Sequence, residues 1–226
     1  MCGIAGIITP NARNYHAEIA KMTDAIAHRG PDAAQHEFYE NAALGHRRLS
    51  IVDLSETGKQ PMFSNTKEEC VVLNGEIYGY QNLKSKYADY PYHGTSDTEV
   101  ILAMYQKKGK ELLHELPGMF AFAIWDEKKQ ELFCARDRFG EKPFYYAIGN
   151  NGEFIFASEI KAILASKLLK PKVNSEALYH YLQYGYVSAF QSIYSNVFTL
   201  PPAHQLVFSE GKISVERYYS IPKNDV

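Results

Sequence analysis

The chain has 226 residues, 46% of them hydrophobic and 22% charged, a globular composition that excludes intrinsic disorder. Its 24 Lys and Arg against 26 Asp and Glu leave a formal charge of −2, so the charge balance recruits neither nucleic acid nor an anionic membrane. A chain of this length buries roughly 70% of its unfolded surface and needs no disulfide or metal to hold a core.

Residues 2–9 are apolar and β-branched and predict a buried strand at the very terminus. From Tyr15 to His28, Ile19, Met22 and Ile26 recur at helical spacing, and Gly30-Pro31 stops the helix. Leu44 to Val52 and Cys70 to Asn74 predict further strands. Ser96-Asp97-Thr98-Glu99 has capping-box spacing and opens a helix carrying Val100, Ile101, Met104 and Tyr105, with Lys107 and Lys108 in its last turn and Gly109 as its stop. Met119 to Trp125 is apolar on both faces: Phe120, Phe122 and Ile124 point one way, Ala121 and Ala123 the other. A strand with one bulky and one small face suits a sheet sandwiched between two different layers.

Leu132 to Ala135, Phe144 to Ile148 and Phe154 to Ala157 predict strands, the last two joined through Gly149-Asn-Asn-Gly152. Ile160, Ile163 and Leu164 mark a short helix, and Leu178, Tyr181 and Leu182 another. Val207 and Val215 flank Glu210-Gly211, a final hairpin. Strands outnumber helices and tight turns join many of them, so the expected fold is α+β, one mostly antiparallel domain.

Cys2, Cys70 and Cys134 are far apart and form no C-x-x-C, which argues against zinc ribbons and thiol redox motifs. An odd count without a signal sequence leads us to expect a reducing cytoplasm. The run Met119–Trp125 is the longest apolar stretch, far short of the ~20 residues of a transmembrane helix. The eight histidines show no metal-ligand spacing, and no metal is expected.

Cys2 stands directly after the initiator Met. By itself it reads as a small residue opening a buried strand. The other reading is an N-terminal nucleophile: with Met1 removed, thiol and α-amine share one residue, so nucleophile and base need no partner from elsewhere. A free α-amine has a pKa of about 7.7–8.0 and a thiol about 8.5, so each exchanges protons near neutrality.

Met-Cys-Gly-Ile-Ala-Gly followed by His28-Arg-Gly-Pro-Asp32 resembles the class II glutamine amidotransferases, an N-terminal-nucleophile hydrolase family. His46-Arg-Arg-Leu-Ser-Ile-Val-Asp53, Asn74-Gly-Glu-Ile-Tyr78, Ser96-Asp-Thr-Glu99, Arg136-Asp-Arg-Phe-Gly140 and Ser158-Glu-Ile-Lys161 narrow the likeness to the glutaminase domain of asparagine synthetase-like enzymes. The likeness runs from Cys2 to about Tyr219. It implies a four-layer α-β-β-α sandwich of two mostly antiparallel sheets, with Cys2 at a strand end. The implied domain covers residues 1–219, and residues 220–226 read as the start of a linker to a synthetase domain.

The implied reaction is hydrolysis of the glutamine side-chain amide through a Cys2 thioester, with the ammonia passed on for amide formation. Arg48 is then placed for the glutamine α-carboxylate, where a guanidinium fork offers two charged hydrogen bonds. The backbone of Leu49, Ser50, Ile51 and Val52 lines the same pocket, and Glu76 and Asp97 face the substrate ammonium. Asp97 has a second role open to it at the helix N-terminus. Asn74 and Gly75 form the oxyanion hole, although an Asn-Gly pair alone reads equally as a hairpin turn. Arg29 supports the site from behind. The family usually has Asn where this chain has Gly79, which puts loop rigidity and glutamine affinity in question.

No Ser-Gly-Gly-x-Asp-Ser phosphate loop occurs, so this domain is expected to use no cofactor, ATP and Mg²⁺ belonging to the synthetase domain. The expected partners are L-glutamine and a C-terminal ATP-dependent synthetase domain, in an excised domain rather than a free-standing subunit. Homodimer formation stays open, as does the acceptor: aspartate by default, a sugar acid or another carboxylate. Two other functions stay open: an amidase for another γ-glutamyl compound, and a non-catalytic domain that senses glutamine or docks a synthetase.

Overall fold

In the computed structural model, which describes residues 1–188 and 190–222, β1 (Gly3–Ile8) is buried along its whole length, as its unbroken apolar sequence demands. It pairs antiparallel with two strands, so it lies inside its sheet. The helix α1 (His16–Ala25) follows and tightens into a 3-10 turn over Ala27–Arg29 before Gly30, ending slightly earlier as a regular helix than its periodicity predicts. Next come the strands β2 (Ala33–Phe38), β3 (Ala42–Arg48), β4 (Met62–Phe63) and β5 (Glu69–Ile77). Two helices, α2 (Tyr80–Lys86) and α3 (Thr98–Lys108), lead into β6 (Gly118–Asp126) and β7 (Glu131–Arg136). The hairpin β8 (Tyr145–Ile148) and β9 (Phe154–Ala157) precedes α4 (Ile160–Ala165) and α5 (Ser175–Tyr184). The short β10 (Phe198–Thr199) and the hairpin β11 (His204–Ser209) and β12 (Lys212–Arg217) complete the described chain.

The strands form two six-stranded antiparallel sheets, ordered β10-β8-β9-β1-β3-β2 and β12-β11-β7-β6-β5-β4. Three apolar layers explain how they stack. Ile4, Leu44, Val72, Ala121, Ala123 and Phe156 meet between the sheets. Ala5, Ile7 and Ile155 face the other way, against Ile19 and Met22 of α1, Ile26 at its C-terminal cap and Ile163 of α4. On the far side Leu73, Phe120, Phe122 and Ile124 pack against Ile101, Met104 and Tyr105 of α3. This is an α-β-β-α sandwich. The two faces of β6 divide as its alternation predicts, with phenylalanines toward the helices and alanines toward the opposite sheet.

Several local expectations need correction. The strand read over Leu44–Val52 stops at Arg48, because its partners run out: Gly3 of β1 lies opposite Arg47 and Ala33 of β2 opposite Arg48. The chain beyond is a loop. The capping box at Ser96 is only half made. Ser96 Oγ accepts from Thr98 N–H at 3.1 Å, but the Glu99 carboxylate turns to the N–H groups of His93 (2.7 Å) and Gly94 (3.2 Å). Asn74-Gly75 is no hairpin turn, since both residues lie within β5, opposite Ala121 and Phe120. The linker expected over 220–226 falls largely outside the described residues, at 223–226.

Candidate active site

The N-terminal end of β1 brings Cys2 to the end of β3 and the edge of β5. Leu49 N–H donates to Cys2 Sγ at 3.5 Å, and the thiol lies 3.7 Å from Leu49 O. Burial pushes the thiol pKa above its ordinary value. The Leu49 N–H and the positive chain terminus offset this only in part, and the Asp97 charge adds to it. A thiol held protonated is a weak nucleophile until a base sits beside it.

Cys2 borders a cavity of about 90 Å³. Every residue expected to bind substrate lines it: Arg48, Leu49, Ser50, Ile51 and Val52 from one side, Asn74, Gly75 and Glu76 from β5, and Asp97 from the start of α3. Met1 also reaches into it. Arg29 does not line the cavity. Its Nε donates to Cys2 O at 2.9 Å and its Nη1 to Glu159 Oε1 at 3.0 Å, so it clamps the nucleophile's backbone from behind.

Asn74 shares that clamp. With its amide nitrogen toward Cys2 O (2.9 Å), its oxygen accepts from Arg29 Nη2 (3.3 Å). An amide nitrogen carries two hydrogens, so one donor remains for the cavity. Gly75 N–H aims the same way by strand geometry. Leu73 N–H donates to Gln60 Oε1 (2.6 Å) and Ile77 N–H to Asp97 Oδ2 (2.8 Å), both off the edge of β5 away from β6. Alternate N–H groups of a strand point to one side, so Gly75 N–H, midway between them, points to that edge too. The glycine is obligatory there: a Cβ would stand 2.2 Å from Met119 O.

Arg48 is buried and, among the described residues, makes no carboxylate pair. Its Nη1 and Nη2 donate to Ser55 O (3.0 Å each) and Nη2 also to Asp53 O, which pins the loop after β3. Asp97 is buried as well. Its carboxylate accepts from Ile77 N–H of β5 and makes no side-chain cap bond to α3, so the support open to it at the helix N-terminus is that of its charge. Burial, with the charge of Glu76 adding, raises its pKa, partly offset by the Ile77 N–H.

Three contributors carried no assigned role in the sequence reading. Asp53 accepts from Ser55 Oγ (2.6 Å), Ser55 N (2.8 Å), Thr95 N (3.0 Å) and Thr57 Oγ1 (3.1 Å); burial opposes its charge, yet these bonds hold its carboxyl well below the usual range. Gln60 spans Leu73 N and Thr98 Oγ1 (3.1 Å), tying β5 to α3. Lys142 also lines the cavity. Asp53 lay within a visible motif; Gln60 had no sequence signal. Gly79, questioned as a loss near the pocket, does not line it: it is exposed, has φ 59°, and precedes α2. His46 is buried, with Nε2 3.2 Å from Leu73 O, and burial lowers its pKa to about 4, so it is a neutral tie between the sheets.

A near-terminal cysteine at a strand end between two antiparallel sheets, over a pocket lined by Arg48 and Lys142 and by the carboxylates of Asp53, Glu76 and Asp97, defines an N-terminal-nucleophile amidohydrolase arrangement. Residues 1–219 match the family model described as glutamine amidotransferase domain, and the chain belongs to that family. It is 44% identical over 239 residues to a putative glutamine-hydrolyzing asparagine synthetase 2 of Methanocaldococcus jannaschii, covering 97% of this chain and 46% of that one. It is 36% identical over 228 residues to a glutamine-hydrolyzing asparagine synthetase 3 of Bacillus subtilis, covering 98% and 37%. The chain thus spans less than half the length of these relatives. Its backbone superposes on a Bacillus subtilis glutamine phosphoribosylpyrophosphate amidotransferase with a TM-score of 0.72 at 18% identity, covering 96% of this chain and 49% of that one. Among the described residues no helix is long and apolar enough to cross a membrane.

Proposed function

We propose that this chain hydrolyses the side-chain amide of L-glutamine, releasing glutamate and ammonia, and feeds the ammonia to an asparagine synthetase-type, ATP-dependent amidation. The observation that carries the reading is the convergence on one cavity of Cys2 Sγ, the Asn74–Gly75 edge and the Arg48, Glu76 and Asp97 charges. Glutamine lies with its α-carboxylate at Arg48 and its ammonium between Glu76 and Asp97, which presents the amide carbon to Cys2.

The Cys2 α-amine takes the thiol proton and the thiolate adds to the amide carbon. Asn74 Nδ2 and Gly75 N–H hold the oxyanion. The adduct collapses as the amine returns the proton to the leaving nitrogen, giving ammonia and a γ-glutamyl thioester. Water, deprotonated by the same amine, then releases glutamate. This step uses neither ATP nor Mg²⁺; both serve the synthetase partner. A family of glutamine amidotransferase domains and relatives twice as long support that partner, and so does the exposed apolar side of α5. The three unpaired cysteines, one of them the nucleophile, suit a reducing cytoplasm.

Glutamate release from L-glutamine, measured without ATP or Mg²⁺ beside a panel of other γ-glutamyl amides, tests the reading. Preferred turnover of glutamine is expected. Turnover that depends wholly on ATP or Mg²⁺, or that prefers another γ-glutamyl compound, contradicts it.

A further inference from the structure

The segment Arg136-Asp-Arg-Phe-Gly-Glu-Lys142 has no part in the mechanism above, yet it is among the most heavily tied loops of the molecule. Asp137, fully buried, accepts from the N–H groups of Phe139, Glu141 and Lys142 at 3.0 Å each and of Phe120 at 3.3 Å. Arg136 donates to Lys142 O and Gly140 O at 2.7 Å each and to Leu200 O at 2.8 Å. An internal aspartate and arginine thus fix one short turn. What that turn delivers is Lys142.

Lys142 is 5% exposed and borders the Cys2 cavity. Among the described residues no carboxylate lies within 4.0 Å of its ammonium. Its side-chain contact is the Met1 thioether, 2.9 Å from Nζ, a weak acceptor. A buried cation without a counter-charge is costly, so a loop built to hold one there points to a use for the charge. The covalent path from the Met1 sulfur to the Cys2 nitrogen is short enough to place Nζ within about 9 Å of that nitrogen.

We propose that Lys142 acts through the Cys2 α-amine, holding a positive charge near it so that the amine stays uncharged near neutral pH. The inference rests on the glutaminase reading. A cation at this distance disfavours a second one, and an effective dielectric of ~20 makes the effect about one pH unit. The other charged or titratable groups around the amine are the Cys2 thiol, Arg29 at the Cys2 carbonyl, Arg48 at the end of β3, Asp53 from the loop after it, Glu76 from β5 and Asp97 at the N-cap of α3. Arg29 and Arg48 act in the same direction; Glu76 and Asp97 oppose them and are the pair a bound substrate ammonium engages. The test therefore uses kcat at saturating glutamine.

The sign follows from which form works. The neutral amine is the base, so activity falls as pH drops through the amine pKa. Lys142→Met should raise that pKa and move the acid limb of kcat up by about one unit, a loss of nearly tenfold below the wild-type limb and little change above it. Lys142→Arg should restore the wild-type limb. Titration of [¹⁵N]cysteine-labelled protein starting at Cys2 reads the same amine by NMR without turnover and stays informative for a slow variant. An unmoved acid limb and amine titration in Lys142→Met would overturn the proposal, as would a rise in KM alone, which would mark a substrate-carboxylate contact. Wild-type protein that releases no glutamate would overturn the glutaminase reading, and this inference with it.

Discussion

The cavity end of the sandwich and the segment 174–188 are made by opposite means. At the cavity, strands and loops far apart in sequence interlock. Arg29 and Asn74 meet on Cys2 O, Asp32 Oδ2 holds Ser50 N–H at 2.8 Å, and Gln60 joins β5 to α3. In the other region, α5 is specified locally. Asn174 Oδ1 caps it through Glu176 N–H (3.1 Å) and Ala177 N–H (3.2 Å), and Gly185 ends it with φ 79°. Only Ala177 of this helix is buried, while Leu178, Tyr179, Tyr181, Leu182 and Tyr184 are exposed, with Tyr186 and Phe190 beyond. The three apolar layers close without α5. The comparison teaches that the cavity is assembled within the sandwich, and that α5 presents apolar surface the sandwich does not use.

That contrast can be broken by substitution. Cys2→Ala should bring glutamate release below detection, a loss of at least ~10³-fold, while the thermal transition stays in place. Asn74→Ala should lower kcat by about 10²–10³-fold with little change in KM, because its donor serves the oxyanion; unchanged turnover would remove it from the site. Arg48→Ala and Asp97→Ala should instead raise KM, roughly 10- to 100-fold for Arg48, since they hold the α-groups of glutamine in ground and transition states alike. A fall in kcat at constant KM would refute that assignment. At the other end, Leu182→Gln should leave kcat and KM as they are and shift stability by no more than about 0.5 kcal/mol. A cooperative loss of folding in that variant would show that α5 belongs to the core after all.

The same contrast explains what the sequence disclosed. The alternation in β6 and the spacing of Ile19, Met22 and Ile26 are local patterns, and the layers they predict are the layers observed. The chemistry-bearing residues were legible because residue type and family resemblance agree on Cys2, Arg48, Asn74, Gly75 and Asp97. Arg48 at the end of a strand was less so, because the strand's length depends on where β1 and β2 stop. Gln60 and Lys142 act through partners distant in sequence, which no local pattern encodes. The half-made capping box shows the same limit: Glu99 found His93 and Gly94 N–H groups that its own helix could not foretell.

The central claim is that Cys2 supplies both nucleophile and base, and Met1 tests it most directly. With Met1 in place the Cys2 nitrogen is an amide, without a basic lone pair, and Met1 lines the cavity beside Cys2. Intact-mass measurement and glutamate release should be made on the same preparations, one beginning at Cys2 and one keeping Met1. Both should fold, with the same thermal transition, because Met1 is half exposed and outside β1. Only the form beginning at Cys2 should hydrolyse glutamine. A homogeneous Met1-retaining preparation that hydrolyses glutamine at the same rate would contradict the mechanism and require a base other than the α-amine.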